Sequence, residues 1–160
     1  ILGNEAIQNK IVRMAYEIYE NNLSEKSIVL AGVEGQGLTL AGLLAKQLKK
    51  ISQIEIQLVK VTIDKQVPEK SQVNLDVKTE TLQRKVIILV DDVLNTGKIV
   101  TYSMKPFLSL AVKKLEVAVL VNRSHLQFPV YPRYTGYALS TTMSEHIEVV
   151  LDKNSAVYLR

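Results

Sequence analysis

Cysteine and tryptophan are absent from the 160 residues, and phenylalanine and histidine occur only twice each. Without cysteine there is no disulfide, no thiolate metal centre and no cysteine nucleophile, so packing alone must hold the fold, as suits a reducing cytosol. No apolar run reaches the roughly 18 residues that a membrane helix requires. The first twenty residues carry charges and amides where a signal peptide needs an apolar stretch, so the expectation is a cytoplasmic protein with no membrane partner. Charge of one sign is scarce too: 20 basic residues against 16 acidic ones leave +4, with an isoelectric point near 9.2. That mild excess suits phosphate ligands and lacks the clustering of a dedicated nucleic-acid binder. Internal repeats and low-complexity tracts are missing.

What is present is apolar material, 47% of the chain, enough for a single domain over residues 1–160 to bury a core. Ile7, Ile11, Met14, Ala15, Ile18 and Tyr19 recur at helical spacing and predict an amphipathic helix over 4–21. The runs at 27–32 and 54–61 read as strands, with a helix between them over 38–50 whose lysines fall in the last turn. Residues 62–83 are polar, contain Pro68 and have no sustained period; they read as a mobile loop or a small hairpin rather than a domain linker. Residues 85–92 form a near-continuous apolar strand ending in two aspartates, 98–112 a helix that Pro106 should kink, and 114–122 a further strand. Short strands follow after the loop around Pro129 and Pro132. Apolar strands alternating with helices predict an α/β protein, a mostly parallel sheet flanked by helices with ligands at the carboxyl ends of its strands.

Two loops fall at such ends. One is GVEGQG, residues 32–37; the other is DDVLNTGK, residues 91–98. In the second, backbone N–H groups of 95–98 can converge on one point at a helix start, with the Thr96 hydroxyl and the Lys98 charge beside them; that is a phosphate cradle. Asp91 and Asp92 repel phosphate but accept hydrogen bonds from vicinal hydroxyls. Together they spell a sugar phosphate. A Walker loop ending at Gly97-Lys98 would need glycine where Asp92 stands and Ser or Thr at Ile99, and the first loop has Leu40 where a dinucleotide fingerprint has its third glycine.

VIILVDDVLNTGK, residues 86–98, resembles the phosphoribosyl pyrophosphate (PRPP) signature of the type I phosphoribosyltransferases. The likeness extends over nearly the whole chain except 62–83, and within the family it is to the PyrR branch, pyrimidine-operon attenuators with uracil phosphoribosyltransferase activity. The resemblance implies the type I phosphoribosyltransferase (Rossmann-like) fold and transfer of a 5-phosphoribosyl group from PRPP to a nucleobase, uracil being the first to try, with release of pyrophosphate. It implies that Asp91 and Asp92 hold the ribose hydroxyls while Val93, Leu94, Asn95, Thr96, Gly97 and Lys98 wrap the 5-phosphate. Val33, Glu34, Gly35, Gln36 and Gly37 would meet the pyrophosphate, and Val121, Asn122 and Arg123 the base. Asp91, Asp92 and Lys60 are the catalytic candidates. Mg²⁺ would arrive with PRPP and bridge its oxygens, with no metal cage of protein side chains. A homo-oligomer, dimer or higher, is implied as well.

The departures from the branch are specific. Gly35 and Gln36 replace Thr-Arg in the pyrophosphate loop, and Glu34 adds negative charge there. Val59, Lys60, Val61 and Thr62 replace Tyr-Arg-Asp-Asp, so Lys60 keeps a charge without the fork of arginine. Ile99 replaces a hydroxyl donor. Asn95 stands where purine phosphoribosyltransferases carry an aspartate base, and asparagine cannot accept a proton at neutral pH, which favours a pyrimidine. His125 matches a family histidine in the loop after 114–122, either satisfied by backbone or a ligand; His146 opens an apolar strand. RNA binding is the alternative activity, with Lys10, Arg13, Lys46, Lys49 and Lys50 as phosphate contacts. It is not favoured, because Gln8, Asn9, Leu126 and Tyr131 replace arginines. A PRPP sensor with weak or no catalysis is the other alternative.

Overall fold

The computed structural model describes residues 1–160. A central sheet of six strands has the order β3-β2-β1-β4-β5-β6, from β1 (Ser27–Val33), β2 (Glu55–Thr62), β3 (Asn74–Leu75), β4 (Val86–Leu94), β5 (Lys114–Asn122) and β6 (Tyr134–Ala138). All neighbours run parallel except β3, which returns antiparallel on β2 through Val61↔Leu75 and Thr62↔Asn74. The segment 62–83 is therefore a hairpin-like return, with short 3-10 turns at Pro68–Lys70 and Thr79–Leu82. A separate antiparallel pair, β7 (Ile147–Val150) and β8 (Ala156–Leu159), closes the chain.

Sequence dictates the layers. The strands β1 and β4 are apolar at nearly every position because both faces are covered. Helix α1 (Asn4–Glu20) and helix α2 (Gln36–Ile51) cover one face: α2 lies on β1 and β4, and α1 packs on α2 and β6, its Ile7, Ile11, Met14, Ala15 and Ile18 joining Ile28, Leu30, Ile88 and Val90 in one core. On the other face Val29, Ala31, Ile87 and Leu89 pack with Val100 and Phe107 from the short helices α3 (Lys98–Ser103) and α4 (Lys105–Leu108), and with Leu82. Each of these fully buried side chains contributes roughly 1.5–3 kcal/mol over leaving it in water.

Three expected boundaries move. Strand β4 runs two residues past the acid pair to Leu94, so the loop after it begins at Asn95. The helix expected over 98–112 is broken: α3 ends at Ser103 and Pro106 sits in the first turn of α4, which ends at Leu108. Proline cannot donate to the ladder, so a new helix start satisfies it where a kink would not. Helix α2 begins at Gln36, two residues earlier than its apolar period.

Candidate active site

The carboxyl ends of β1, β2, β4 and β5 meet at one edge of the sheet. In register, Val33 lies opposite Val61, Gly32 opposite Val90, and Leu94 opposite Asn122. The two loops singled out by sequence are thus neighbours. Their contact is tight: a Cβ added at Gly37 would lie 2.8 Å from Asp91 Oδ1 and 3.0 Å from the Val90 carbonyl oxygen. Only a glycine lets the start of α2 come this close to the acid strand.

The two acids differ. Asp91 is 6% exposed, and its Oδ1 accepts the Asp92 N–H at 2.9 Å. Burial, then the negative charge of Asp92, pushes the Asp91 carboxyl well above the usual range, with Lys65 pulling the other way. Asp92 is half-buried and reachable. Side-chain alternation also breaks here. Val90 belongs to the α1/α2 core and Val93 packs against it, although strict alternation would set them on opposite faces. The irregularity falls on the acid pair.

Beyond Leu94, which is buried, the turn from Asn95 to Lys98 encloses a cavity of about 130 Å³ together with Asp91, Val93, Ile99 and Val100. Gly97 is left-handed (φ 88°), and the Lys98 N–H donates to Thr96 Oγ1 at 3.2 Å, leaving the Thr96 O–H free to donate. The loop after β5 braces this turn: the Gln127 and Phe128 N–H groups donate to the Thr96 carbonyl at 2.8 and 3.1 Å. Since α3 has only six residues, its dipole adds less than the longer helix would have, and the cradle depends on the turn's N–H groups, Thr96 and Lys98. The Lys98 ammonium is 3.2 Å from Glu69 Oε2, and that contact, after a backbone hydrogen bond, holds the Glu69 carboxyl below its ordinary range.

The other expected loop carries no cation. Val33 is buried, Glu34 and Gly35 are exposed, and Gly35 has φ 100°. The Glu34 N–H donates to the Val61 carbonyl at 2.8 Å. Gln36 turns away: its Oε1 accepts the Leu151 N–H at 2.8 Å, tying the β7–β8 pair to the start of α2. What stands over the loop instead is Lys65, whose Nζ donates to the Glu34 carbonyl at 3.0 Å.

Lys60 is half-buried across from Gly32, and its backbone N–H donates to Asp76 Oδ1 at 2.8 Å, while its ammonium makes no ion pair. Of the three residues expected at the base, Val121 is fully buried in the core and Asn122 Oδ1 accepts the Ser124 N–H at 2.9 Å. Arg123, 5% exposed, is a strut. Its guanidinium donates to Asn95 Oδ1 (3.1 Å), Thr141 Oγ1 (2.8 Å) and the carbonyls of Thr142 (3.2 Å) and Glu145 (2.7 Å). His125 Nε2 is bonded to the Thr141 carbonyl at 2.6 Å, so the backbone satisfies it, and His146 is exposed with its backbone paired to Arg160. These contacts frame a second cavity of about 420 Å³, which shares Asn95 and Thr96 with the first and adds His125, Gln127, Met143 and His146. Lys65, Glu69, Gln127 and Thr141 were not singled out by sequence. The only signal for the first two was Asp64, Pro68 and Ser71, a turn-forming set in a polar stretch.

This edge, with paired acids beside a Thr-Gly turn, is that of a phosphoribosyl-binding fold. The phosphoribosyl transferase domain family matches residues 1–152, and the chain belongs to that family. Its curated relatives include the bifunctional protein PyrR of Limosilactobacillus reuteri, 32% identical with 96% of this chain and 91% of the relative covered. The PyrR of Staphylococcus epidermidis is also 32% identical, with 98% and 96% covered. Among solved structures, the hypoxanthine phosphoribosyltransferase of Trypanosoma cruzi superposes with a TM-score of 0.78 at 14% identity, covering 92% of this chain and 83% of that one. A hypoxanthine-guanine phosphoribosyltransferase from Bacillus anthracis gives 0.73 at 19% identity, covering 84% and 78%. These two likenesses establish the fold. No helix is long and apolar enough to cross a membrane.

Proposed function

We propose that the chain transfers the 5-phosphoribosyl group of PRPP to a nucleobase, with uracil the preferred acceptor. The observation that carries this is the adjoining pair of cavities: Asp91 and the 95–98 turn line the first, and Asn95 and Thr96 pass from it into the second. A phosphate in the turn would set the ribose across the acids and its C1 towards the larger cavity, whose volume admits a nucleobase. Asp92, the more accessible acid, accepts the ribose hydroxyls; Asp91 fixes it through the Asp92 N–H. A base nitrogen then bonds to C1 as the C1–O bond to pyrophosphate breaks, pyrophosphate leaving with the bonding pair and the base giving up its N–H proton to water. The chain's work is orientation and charge stabilisation.

Mg²⁺ fits this donor set as a companion of PRPP, since two hard carboxylates lie together while no group of three metal-ligating side chains converges. It would neutralise phosphate charge. Asn95 has its carbonyl oxygen engaged by Arg123, which leaves its amide protons for a base carbonyl; since an amide cannot take a proton from a purine nitrogen at neutral pH, the position supports a pyrimidine. RNA binding is less supported. Arg13 is held by Glu17 at 2.6 Å and the Gly136 carbonyl at 2.6 Å, and Lys10 lies over the Tyr137 ring at 5.3 Å.

The test is incubation with PRPP, Mg²⁺ and each of uracil, hypoxanthine and guanine, following nucleotide and pyrophosphate together. UMP formed with one pyrophosphate per nucleotide is the expected result. Saturable PRPP binding without nucleotide from any base would replace the transferase by a PRPP sensor.

A further inference from the structure

We propose that Lys65, reaching in from the β2–β3 connection, supplies the positive charge that the pyrophosphate loop itself lacks. The inference rests on the phosphoribosyl reading above. Residues Val33 to Gly37 contain no basic side chain, and their one long amide, Gln36, is occupied with the Leu151 N–H at 2.8 Å. A polyanionic leaving group arriving there would meet Glu34 with no cation in the loop to offset it.

Lys65 answers that deficit in three respects. Its Nζ is 3.0 Å from the Glu34 carbonyl oxygen and 3.6 Å from the position of a Cβ on Gly35, so the ammonium stands directly over the left-handed glycine of the loop. One donated proton leaves two for a ligand, and no carboxylate pairs with it, in contrast to Lys98 with Glu69. Its charge also favours the ionised Asp91, the smallest of the influences on that carboxyl.

The backbone that carries it is held. Asp64 Oδ1 accepts the Gln66 N–H at 2.9 Å and the Val67 N–H at 3.4 Å, Ser71 Oγ accepts the Asp64 N–H at 2.9 Å, and Pro68 is buried beneath. A side chain fixed at its base needs little ordering to meet a ligand. Lys65 is exposed and makes a single polar contact, so its removal leaves the fold alone.

The experiment compares wild type, Lys65→Gln and Lys65→Arg by calorimetry with three probes in Mg²⁺: pyrophosphate, PRPP and ribose 5-phosphate. Lys65→Gln should weaken pyrophosphate and PRPP about tenfold or more while leaving ribose 5-phosphate within twofold, and Lys65→Arg should restore the first two. Unchanged pyrophosphate binding in Lys65→Gln would overturn the assignment while leaving the phosphoribosyl site intact. An equal loss of ribose 5-phosphate would overturn it too, making Lys65 a brace for the loop. Wild type that binds none of the three would overturn the phosphoribosyl reading, and the role of Lys65 with it.

Discussion

Replacing Arg123 with methionine should unfold the protein's ligand-binding edge rather than merely alter base affinity. The guanidinium is almost wholly buried, yet it has no carboxylate partner; neutral oxygens from Asn95, Thr141, Thr142 and Glu145 satisfy it at 2.7–3.2 Å. Each hydrogen bond to a charged donor contributes about 1.5–3 kcal/mol. Four of them exceed the several kcal/mol that desolvating one cation costs. Methionine fills much of the volume but leaves four acceptors without their donor and unties the two segments that it joins. A net loss of about 3 kcal/mol is expected, a large part of the ~5–15 kcal/mol that holds a typical domain together. In a chain of this size that lowers the melting temperature by roughly 6–12 °C and moves a urea midpoint by about 1.5 M. Lysine should rescue little, because one ammonium cannot reach four acceptors on separate segments. Urea unfolding of wild type, Arg123→Met and Arg123→Lys measures this. A loss under about 1 kcal/mol, with uracil affinity selectively reduced, would refute the strut and restore Arg123 to the base pocket.

Three further outcomes follow from the same geometry. Gly37→Ala should cost about 1–3 kcal/mol in thermal unfolding, since its methyl meets Asp91 Oδ1 at 2.8 Å and backbone that cannot give way; a neutral result would mean that α2 and β4 are not pressed together. Because burial and then Asp92 raise the folded-state pKa of Asp91, the ligand-free protein loses stability as pH rises from about 3.9 through that raised value. Asp92→Asn should therefore melt above wild type at pH 7, with the gap closing near pH 3; a variant that melts lower at pH 7 contradicts the like-charge strain. Glu69→Gln should release Lys98 and tighten ribose 5-phosphate about two- to fivefold, more at low salt, whereas a weaker Kd would make Glu69 part of the cradle.

The sheet was legible because burial on both faces writes itself as continuous apolar strands: β5 falls where its residues 114–122 said it would, and α1 buries five of the six apolar positions that its period marked, with Tyr19 half-buried. That Asp91 and the Thr-Gly turn line one cavity was legible because both fall at the end of the same apolar strand, which a parallel sheet leaves open. Arg123 was not. A basic residue after a strand looks the same whether it faces a ligand or three oxygens from a loop 18–22 residues away. Lys65 and Glu69 escaped for a related reason: their meaning lies in what the 62–83 return brings them against, and no periodicity encodes a contact across 31 residues. Helix 98–112 failed at Pro106, where the local rule pointed to a kink and tertiary packing of Phe107 completed the break.

The central claim, that Asp91, Asp92 and the 95–98 turn hold a phosphoribosyl group, is tested most directly by titrating PRPP with Mg²⁺ into wild type and Asp92→Asn in a calorimeter. The account predicts saturable one-site binding to wild type and a loss of about tenfold or more in the variant, whose melting temperature does not fall. Wild type that takes up no PRPP, or a variant that binds it as well as wild type, would contradict the claim.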